Sequence, residues 1–525
     1  MELKPHCVVV DHVPSLCPHC NAKITSSIID RDGRIYQSNQ CERHGVTESL
    51  LFSDSAFYHR LDAWNRLLFP PLDDAAPSPE AVGDPAYHPF SFNPPALGVI
   101  DLTNSCNFNC PLCFAGNGNR GHSYFLDVDT IRQMLEVLLT KSATPCRNVQ
   151  FSGGEPTLHP EFPQILRMAR GMGFTHIQVA TNGSRFVDPA YVSQCAEMGL
   201  HTLYLQFDAV DDDAYMRLRG KRLVEEKTRV VSNVAKTNMR IVLVPTIATS
   251  INVDQIGPIF AFALEYSRHV TGISIQPAAY IGRTQIGARE EKPFNLADLA
   301  MEFGKQTGLT RFPDDWLPLN AISMITQGIG RIRGETLPSP ACDAHCSLGT
   351  YFYIDEQNRP FCINSFLDLD RFLRLIGRLT PKSPRDGLRQ RISRLKELEA
   401  LAGCLNKKQA PKGFTFTRLL RGLDGWEDKS CGREAGWFKK AFNGMFVAGM
   451  HFMDSHNYNF RRVRRCIVQY VTTDGNLIPF CSYNAGPRFR AEEELVRRSG
   501  SVSRGTGIHW RQPTVTSGIE AGEAP

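Results

Sequence analysis

The stretch DLTNSCNFNCPLCF (101–114) holds three cysteines, Cys106, Cys110 and Cys113, on one short loop. It overlaps the end of the apolar run ALGVIDLT (96–103), which is typical of a buried strand. Thiolates are the usual ligands of iron–sulfur clusters, so three on one loop can hold three irons of a [4Fe–4S] cluster and leave the fourth iron open. Structural zinc needs a fourth ligand, and beyond Asp101 the loop contains no further Cys, His, Asp or Glu.

Short apolar runs alternate with amphipathic stretches from this region to about residue 287. Six runs rich in Val, Ile and aromatic residues predict buried strands: ALGVIDLT (96–103), NVQFSG (148–153), HIQVATN (176–182), TLYLQFD (202–208), RIVLVPTIA (240–248) and GISIQPAA (272–279). Helices are predicted between them at 127–141, 161–173, 189–199 and 224–238. The alternation predicts an α/β fold with a parallel sheet. Because a closed barrel has eight strands, we expect a partial barrel with its site at the carboxyl ends of the strands.

The composition of the 525-residue chain is that of an ordinary globular protein, with 42% hydrophobic and 22% charged residues. Its 59 Lys and Arg against 54 Asp and Glu leave a net charge of only +5, which argues against a nucleic-acid-binding protein. No run of about 18 apolar residues predicts a transmembrane helix, and the start lacks the features of a secretory signal. We therefore expect a cytoplasmic protein, in which clustered cysteines predict metal ligands rather than disulfides.

The amino-terminal region contains a second metal-ligand pattern, in which CPHC (17–20) is followed by CERH (41–44). The four candidate ligands are Cys17, Cys20, Cys41 and His44. This is the spacing of two knuckles that close one tetrahedral, structural site for zinc or a rubredoxin-like iron. The segment between the knuckles predicts a β-hairpin that turns at Asp32 and Gly33. Cys7 is an alternative to His44 as the fourth ligand.

Seven cysteines lie beyond residue 300, and two segments there share one design. CSLGTYFYIDEQNRPFC (346–362) and CIVQYVTTDGNLIPFC (466–481) each contain a cysteine, a strand-like run, a polar turn and Pro-Phe-Cys. Each predicts a hairpin that brings its two cysteines together. The favoured ligands of auxiliary [4Fe–4S] clusters are Cys342, Cys346, Cys362, Cys466 and Cys481. Cys404 and Cys431 are weaker candidates, and we expect Cys146 and Cys195 of the core to be inert.

These patterns divide the chain into five parts. We expect a metal-knuckle module (1–60), a Pro-rich linker (61–96), the α/β core (97–300), a cysteine-rich auxiliary iron–sulfur domain (301–495) and a disordered tail (496–525).

The cysteine loop and the motifs after it resemble the radical S-adenosylmethionine (radical SAM) superfamily. The Cys-x3-Cys-x2-Cys spacing is followed in order by FSGGEPTL (151–158), ATNG (180–183), LQFDA (205–209), VPTIA (244–248) and ISIQPAAYIGR (273–283). The resemblance implies a partial (β/α)6 barrel of the TIM type. It also implies that the open iron chelates S-adenosylmethionine, whose reductive cleavage gives a 5′-deoxyadenosyl radical that takes hydrogen from an unactivated carbon.

Candidate cofactor-binding residues lie at the ends of the predicted strands: Gly153, Gly154, Glu155, Asn182, Asp208 and Gln276. The two glycines allow close approach of the backbone, whose carbonyls can accept the methionyl ammonium, with Glu155 as a further acceptor. The three other polar side chains can fix the sugar or orient the sulfonium, and for each of them a cap or turn role is an equal alternative.

Features outside the core resemble one branch of the superfamily, the archaeal tetraether lipid synthases and the related pterin methyltransferases. They are the CPHC and CERHG knuckles, QPAAYIGR (276–283), HCSLGTYFYID (345–355) and PFCSYN (479–484), so that the resemblance spans most of residues 14–484. The members of this branch have a further cysteine-rich CPxxCGLC segment just before the core, whereas this chain has AYHPFSFNPPALGVI (86–100) there. This departure from the branch implies that the inventory of auxiliary clusters differs.

Four functions are compatible with these patterns. Carbon–carbon bond formation on a lipid chain comes first, methylation of a pterin-like small molecule second, and modification of a peptide by a maturase third. A non-enzymatic iron–sulfur scaffold or redox sensor is the fourth. An enzyme of this kind needs an electron donor such as flavodoxin or ferredoxin.

Two basic segments bear on the partner. The stretch at 369–398 is basic and amphipathic, which suits either peripheral contact with a membrane or a packed helix. The run RRVRR (461–465) can balance the charge of a cluster, grip a phosphate or be solvated.

Overall fold

The computed structural model of the 525-residue chain describes most of both terminal regions and the core. The described residues are 7–69, 90–116, 123–142, 144–283, 292–333, 341–380, 388–424, 443–486, 489, 490, 493 and 497. Most of the predicted linker (70–89), Cys431 and the tail from 498 lie outside them. Among the helices of the described chain, none combines the length and the apolar character that crossing a membrane requires.

The amino-terminal region is an antiparallel sheet of four strands in sequence order. Its strands are β1 (Cys7–Leu16), β2 (Lys23–Arg31), β3 (Arg34–Cys41) and β4 (Gly45–Phe52). Asp32 and Gly33 have φ values of 52° and 75°, as a two-residue hairpin turn requires, so the predicted hairpin is confirmed. Helix α1 (Ser55–Leu68) follows, and its N-cap Asp54 accepts a hydrogen bond from the Phe57 amide.

All six predicted core strands form, in the predicted parallel arrangement. They are β5 (Leu97–Thr103), β6 (Asn148–Gly153), β7 (His176–Thr181), β8 (Thr202–Gln206), β9 (Arg240–Val244) and β11 (Val270–Pro277), with the short β10 (Thr246–Ile247) beside β11. They lie side by side in the order β5, β6, β7, β8, β9 and β11. The carboxyl ends of six neighbouring strands therefore meet at one edge, where the sequence motifs lie.

Helices follow these strands and cover one face of the sheet. They are α2 (Val128–Thr140), α3 (Phe162–Gly171), α4 (Pro189–Met198), α5 (Asp212–Arg219), α6 (Val224–Val234), α7 (Ile256–Glu265) and α8 (Leu296–Thr307). In β6, Val149 and Phe151 are fully buried in the main hydrophobic core, whereas Gln150 and Ser152 line a cavity on the opposite face. In β6 this alternation therefore places apolar side chains under the helices and polar side chains on the inner face.

The carboxyl-terminal region adds strands to both sides of the same sheet. They are β12 (Leu317–Pro318), β13 (Ser347–Ile354), β14 (Pro360–Cys362), β15 (Asn443–Met450), β16 (Val468–Val471) and β17 (Leu477–Pro479). Strand β15 pairs in parallel with β11, and β16 pairs in parallel with β5. Within the described chain no ladder joins the outermost strands β12 and β17, in agreement with a partial barrel.

The remaining helices belong to this region. They are α9 (Ser323–Arg333), α10 (Leu369–Ile376), α11 (Leu388–Ala402), α12 (Phe416–Asp424), α13 (Phe460–Arg464) and α14 (Phe480–Ala485). Phe372, Leu373 and Ile376 of α10 are buried in the protein core, so this half of the basic amphipathic stretch is packed rather than free. In α11, Leu395 is exposed.

Candidate functional site

The loop with Cys106, Cys110 and Cys113 follows β5 at the carboxyl edge of the sheet. All three thiols are partly buried and line one cavity. Burial, together with the smaller effects of Glu155, Cys110 and Cys113, raises the pKa of the Cys106 thiol to about 12. Because the charges of Cys110 and Cys113 raise the pKa of Cys106, a positively charged metal centre would stabilise the three thiolates together. The donor set therefore fits three irons of a [4Fe–4S] cluster.

The glycine corner after β6 lies directly against this loop. A Cβ atom on Gly153 would be 2.1 Å from the Thr103 oxygen, and one on Gly154 would be 2.1 Å from the Ser105 oxygen. The Gly154 amide donates to Thr103 O at 2.8 Å, and the Glu155 amide donates to Ser105 O at 2.7 Å. Only glycine fits this approach of two backbones, which positions the cysteine loop on the sheet.

Glu155 is fully buried beside this corner, and the protein's own donors bind its carboxylate. Oε1 accepts hydrogen bonds from the Thr157 amide at 3.1 Å and the Thr181 hydroxyl at 2.7 Å, while Oε2 accepts from the Asn182 amide at 2.7 Å. The carboxylate thus ties the end of β6 to the end of β7. Its use as an acceptor for a cofactor ammonium stays a prediction.

Asp208 forms a buried ion pair with Arg219, a residue that the sequence analysis missed. Arg219 Nε and Nη2 donate to the two Asp208 oxygens at 2.7 and 2.8 Å, and Nη1 donates to Leu112 O in the cysteine loop at 3.0 Å. Burial alone would lower the pKa of Arg219, but the charge and hydrogen bonds of Asp208 raise it. Asp208 therefore acts on the loop through Arg219. The sequence pattern that could have indicated this ion pair is an Asp at the end of a strand followed by an Arg at the end of the next helix.

Lys227 is a second charged residue that the sequence analysis missed. Its side chain is fully buried, and burial lowers its pKa to about 8. Nζ donates to the Asn182 carbonyl and, at 3.0 Å, to Gln206 Oε1. Lys221 Nζ lies 4.2 Å from the centre of the Phe108 ring in the cysteine loop. The loop is thus surrounded by cationic groups, which favours an anionic iron–sulfur centre.

One cavity of about 1510 Å³ connects most of the predicted site residues. Its wall includes Cys106, Cys110, Cys113, Gly153, Gly154, Asn182 and Gln276. Asn182 Nδ2 donates to Asn107 Oδ1 at 2.7 Å, and Gln276 Nε2 donates to the Tyr204 hydroxyl at 3.2 Å. Glu155 and Asp208 are fully buried behind this wall. The structure therefore brings the predicted residues together, with these two as supports of the wall.

The four predicted ligands of the amino-terminal knuckle converge. The ligand atoms of Cys17, Cys20, Cys41 and His44 all lie within 4.8 Å of one another. The hydrogen bond of His44 to Cys41 is the largest cause of a fall in the Cys41 pKa to about 6, so this thiolate is favoured. The arrangement fits a closed tetrahedral metal site.

Cys7 is not part of this site, so the alternative in which it replaces His44 is wrong. Cys7 opens β1 and pairs with Arg31 at one end of the sheet, whereas Leu16 and the knuckle lie at the other end. A strand of this length separates its ends by about 30 Å at 3.3 Å per residue.

Four of the five favoured carboxyl-terminal cysteines form a second cluster of thiols, namely Cys342, Cys346, Cys466 and Cys481. Burial raises the pKa of each one, and the charges of other thiols in the group raise the pKa values of Cys342, Cys466 and Cys481 further. The Arg462 guanidinium donates to Cys346 Sγ at 3.3 Å, and Arg465 donates to the buried Asp343 at 2.9 Å. Arg462 and Arg465 of the RRVRR run therefore lie beside this thiol cluster, where they can balance negative charge.

Cys362 lies apart from these four, and the prediction that the first hairpin pairs its cysteines is wrong. Both hairpins form, but Cys362 is opposite Phe352, six residues beyond Cys346 and so about 20 Å from it along β13. The Cys362 thiol contacts the Thr350 hydroxyl at 3.5 Å instead. In the second hairpin Gln469 is opposite Pro479, which brings Cys481 to the end where Cys466 lies.

The three remaining described core and carboxyl-terminal cysteines are ordinary buried thiols. Cys146 donates to the Asn148 carbonyl at 3.3 Å, and Cys404 donates to the Ala400 carbonyl at 3.6 Å. Burial raises the pKa of Cys195 to about 12. Cys431, the other weak candidate, lies outside the described residues.

Comparisons with known proteins agree with this geometry. Residues 100–263 match the family described as the Radical SAM superfamily, and residues 9–53 match the family described as the HMPTM N-terminal zinc ribbon domain. The chain is 30% identical over 483 residues to 7,8-dihydro-6-hydroxymethylpterin dimethyltransferase of Methanocaldococcus jannaschii, covering 92% of this chain and 94% of that protein.

Two further similarities are confined to part of the chain. A protein named Probable GTP 3′,8-cyclase of Saccharolobus solfataricus is 30% identical over 148 residues, which are 28% of this chain and 44% of that protein. The crystal structure of Streptococcus suis SuiB bound to S-adenosylmethionine shares 19% identity over 40% of this chain and 46% of that chain, with a TM-score of 0.34. This structural likeness is too low to support an argument about function.

Proposed function

Because the chain belongs to the radical SAM superfamily and is a radical SAM enzyme, we propose that it transfers one-carbon units to a pterin-like small molecule. The observation that carries the proposal is the 30% identity over 92% of this chain with a named pterin dimethyltransferase. A match over 92% of this chain extends well beyond the superfamily match at residues 100–263, so it is not confined to the core that radical SAM enzymes share.

The cofactors of this superfamily are a [4Fe–4S] cluster and S-adenosylmethionine, and the loop after β5 fits the cluster. Cys106, Cys110 and Cys113 would hold it, next to the glycine corner at Gly153 and Gly154. Together the bound cofactors supply reductive cleavage of a carbon–sulfur bond and abstraction of hydrogen from an unactivated carbon.

The chain's own residues position and shield this chemistry. The Asp208–Arg219 ion pair fixes the loop through the Leu112 carbonyl. The backbone at Gly153 and Gly154, and the side chains of Asn182 and Gln276, line the cavity beside the thiols and would bind S-adenosylmethionine. The cavity then extends into the barrel, where a small substrate would meet the reactive carbon away from bulk water.

The other two cysteine sites would have separate roles. We assign the four-thiol cluster of Cys342, Cys346, Cys466 and Cys481 to an auxiliary [4Fe–4S] centre, for which Arg462 and Arg465 supply positive charge. The amino-terminal knuckle would hold a structural zinc, in line with the zinc ribbon family that it matches. A flavodoxin or ferredoxin would deliver the electron.

The other sequence-based hypotheses have less support. Neither relative is named for a reaction on a lipid chain, which was the first expectation. A peptide-modifying maturase would need a peptide-binding module, and the amino-terminal sheet matches a zinc ribbon family instead. The scaffold hypothesis is not supported, since the chain belongs to a family of enzymes.

The test uses anaerobically reconstituted full-length protein. We would add dithionite, S-adenosylmethionine and 7,8-dihydro-6-hydroxymethylpterin, with either the ¹³C-methyl form of S-adenosylmethionine or a methylene-tetrahydropterin as one-carbon donor. Mass spectrometry would follow 5′-deoxyadenosine and the methylated pterin. The triple variant Cys106→Ala, Cys110→Ala, Cys113→Ala should keep its zinc and its auxiliary iron but form neither product.

Formation of a methylated pterin by the wild-type protein but not by the triple variant would support the proposal. Pterin-independent formation of 5′-deoxyadenosine, stimulated instead by a lipid extract and accompanied by a coupled lipid, would overturn it. Product from the triple variant would refute the assignment of the cluster loop.

A further inference from the structure

Polar side chains cross the inner face of the barrel, where a barrel of parallel strands is usually filled by Val, Ile and Leu. They come from four strands: Gln150 of β6, Gln178 of β7, Tyr204 of β8, and Ser274 and Gln276 of β11. We call these five residues the lumen band. All of them line the cavity that also contains Cys106, Cys110 and Cys113.

The lumen band consists of two hydrogen-bonded groups. In the first, Gln178 Nε2 donates to Gln150 Oε1 at 2.6 Å, and His176 Nε2 lies 2.9 Å from Gln178 Oε1. In the second, Gln276 Nε2 donates to the Tyr204 hydroxyl at 3.2 Å, and that hydroxyl lies 2.8 Å from Ser274 Oγ. Each group is therefore held in place before any ligand binds.

The first group ends in an amide without a partner. Gln150 is 8% exposed, and its Nε2 makes no hydrogen bond with any described residue. Whichever way this amide is turned, one of its ends faces the cavity. A ligand that fills the cavity and covers this amide without accepting its hydrogen bond would lose affinity, so a ligand with an acceptor atom at this position is favoured. A hydrocarbon chain offers no such atom.

The wall farther along the sheet is aromatic and flat. Phe446 of β15 covers Gly272, where a Cβ would lie 2.2 Å from the phenyl ring, and Tyr351 of β13 covers Gly444 in the same way. The glycines let both rings lie against neighbouring strands. Strand β15 is four positions from β7 in the sheet, and both strands line the same cavity. The two rings thus give the cavity an aromatic surface on which a planar ligand can stack.

We propose that the lumen band is the specificity determinant for the substrate, and that it binds the hydrogen-bonding edge of a planar nitrogen heterocycle. Gln150 and Gln178 would supply amide donors to ring acceptors, and Tyr204 with Ser274 would bind a second edge. This inference rests on the proposed function, because a pterin ring carries adjacent amide, amino and carbonyl groups. A purely apolar substrate would cover the Gln150 amide without offering it a hydrogen bond.

The test compares the reconstituted full-length enzyme with Gln150→Leu, Gln178→Leu and Gln150→Glu, which keeps the size of the side chain but exchanges a donor for an acceptor. The matched control is Gln306→Leu, because Gln306 is a partly buried glutamine on α8, outside the cavity wall. The probe is 7,8-dihydro-6-hydroxymethylpterin. Its affinity is measured by equilibrium dialysis, its turnover by KM and kcat, and substrate-independent cleavage of S-adenosylmethionine in parallel.

We expect the three lumen variants to raise both Kd and KM for the pterin by about 10- to 100-fold, as loss of one hydrogen bond to a buried group does. Substrate-independent cleavage should stay within twofold of the wild type, and Gln306→Leu should behave as the wild type. If Gln150 had a purely structural role, its variants would lower pterin turnover and substrate-independent cleavage together. The Kd of Gln150→Glu for the pterin would then equal that of the wild type.

Failure of this inference is distinguishable from failure of the proposed function. If the wild type methylates the pterin and the lumen variants keep its KM and Kd, the inference is overturned and the function stands. If the wild type binds the pterin through Gln150 but forms no methylated product, the function fails and the inference stands. If the wild type neither binds nor methylates the pterin, both fail.

Discussion

The contact between the glycine corner and the cysteine loop makes one substitution especially informative. In Gly154→Ala the new Cβ would lie 2.1 Å from Ser105 O, 2.6 Å from Ser105 C and 2.8 Å from Asn104 O. A carbon and an oxygen atom normally stay about 3.3 Å apart, so one backbone has to move by roughly 1 Å. Both neighbours are backbone atoms of the strand end that leads into Cys106, so no side-chain rotation can relieve the clash.

The expected cost follows from the same geometry. Overpacking of this kind costs about 1–3 kcal/mol, and loss of the 2.7 Å hydrogen bond from the Glu155 amide to Ser105 O adds about 1 kcal/mol. The fold should survive such a change, but the thiols of the loop should not keep their positions. A misplacement of about 1 Å in a catalytic group can lower a rate about 100-fold. We therefore expect formation of 5′-deoxyadenosine to fall at least that far.

The assay measures 5′-deoxyadenosine, iron and zinc on the same reconstituted sample. Gly171→Ala is the control, because this glycine ends α3 and no atom lies within 4 Å of its added Cβ. The control should keep its activity and gain a little stability from the helix preference of Ala. A Gly154→Ala protein with wild-type activity and iron content would refute the proposed dependence of the cluster loop on the glycine corner.

Three further outcomes are expected. Asp208→Asn leaves the nearly buried Arg219 without its counter-charge, so it should lower the free energy of unfolding by about 3–5 kcal/mol in denaturant melts. Glu48→Gln removes one partner of an ion pair that is one-third exposed and should change the free energy of unfolding little. Equal effects of the two substitutions would contradict the argument. Cys41→Ser should release one zinc per chain and lower the melting temperature of the amino-terminal sheet. Cleavage of S-adenosylmethionine should continue in this variant, and its loss would indicate a catalytic role for the knuckle. At pH 8 iodoacetamide should label the exposed Cys7 but not the buried Cys195. The raised pKa of Cys195, about 12, leaves about one thiol in 10⁴ as the reactive thiolate. Labelling of Cys195 before unfolding, detected by mass spectrometry, would contradict the burial argument.

Local sequence patterns were sufficient for the elements whose geometry is itself local. The six parallel strands, the hairpin turn at Asp32 and Gly33, and the spacing of Cys106, Cys110 and Cys113 all follow from alternation or ligand distance within a few residues. The knuckle ligands were found for the same reason, because two short pairs joined by one hairpin can close only one small site.

The two hairpins of the carboxyl-terminal region mark the limit of this reasoning. Their sequences are nearly the same in design, but strand register depends on turn length and on which face is buried, so a shift of a few residues changes which cysteines meet. In the second hairpin Cys466 and Cys481 come together, while in the first Cys362 faces Phe352 and Cys346 joins the other hairpin's thiols.

By itself, then, the sequence indicated the superfamily, the parallel arrangement of the core strands, the loop proposed to hold the cluster and the four knuckle residues that converge in the structure. Only the tertiary structure showed that Asp208 forms an ion pair with Arg219 and that Lys227 is buried beside the loop. It also showed that strands from the carboxyl-terminal region extend the core sheet, and that polar side chains of separate strands line one cavity inside the barrel. The physical reason is the same in each case. These contacts join residues that are far apart in the chain, and their partners are set by strand order and burial rather than by any spacing along the sequence.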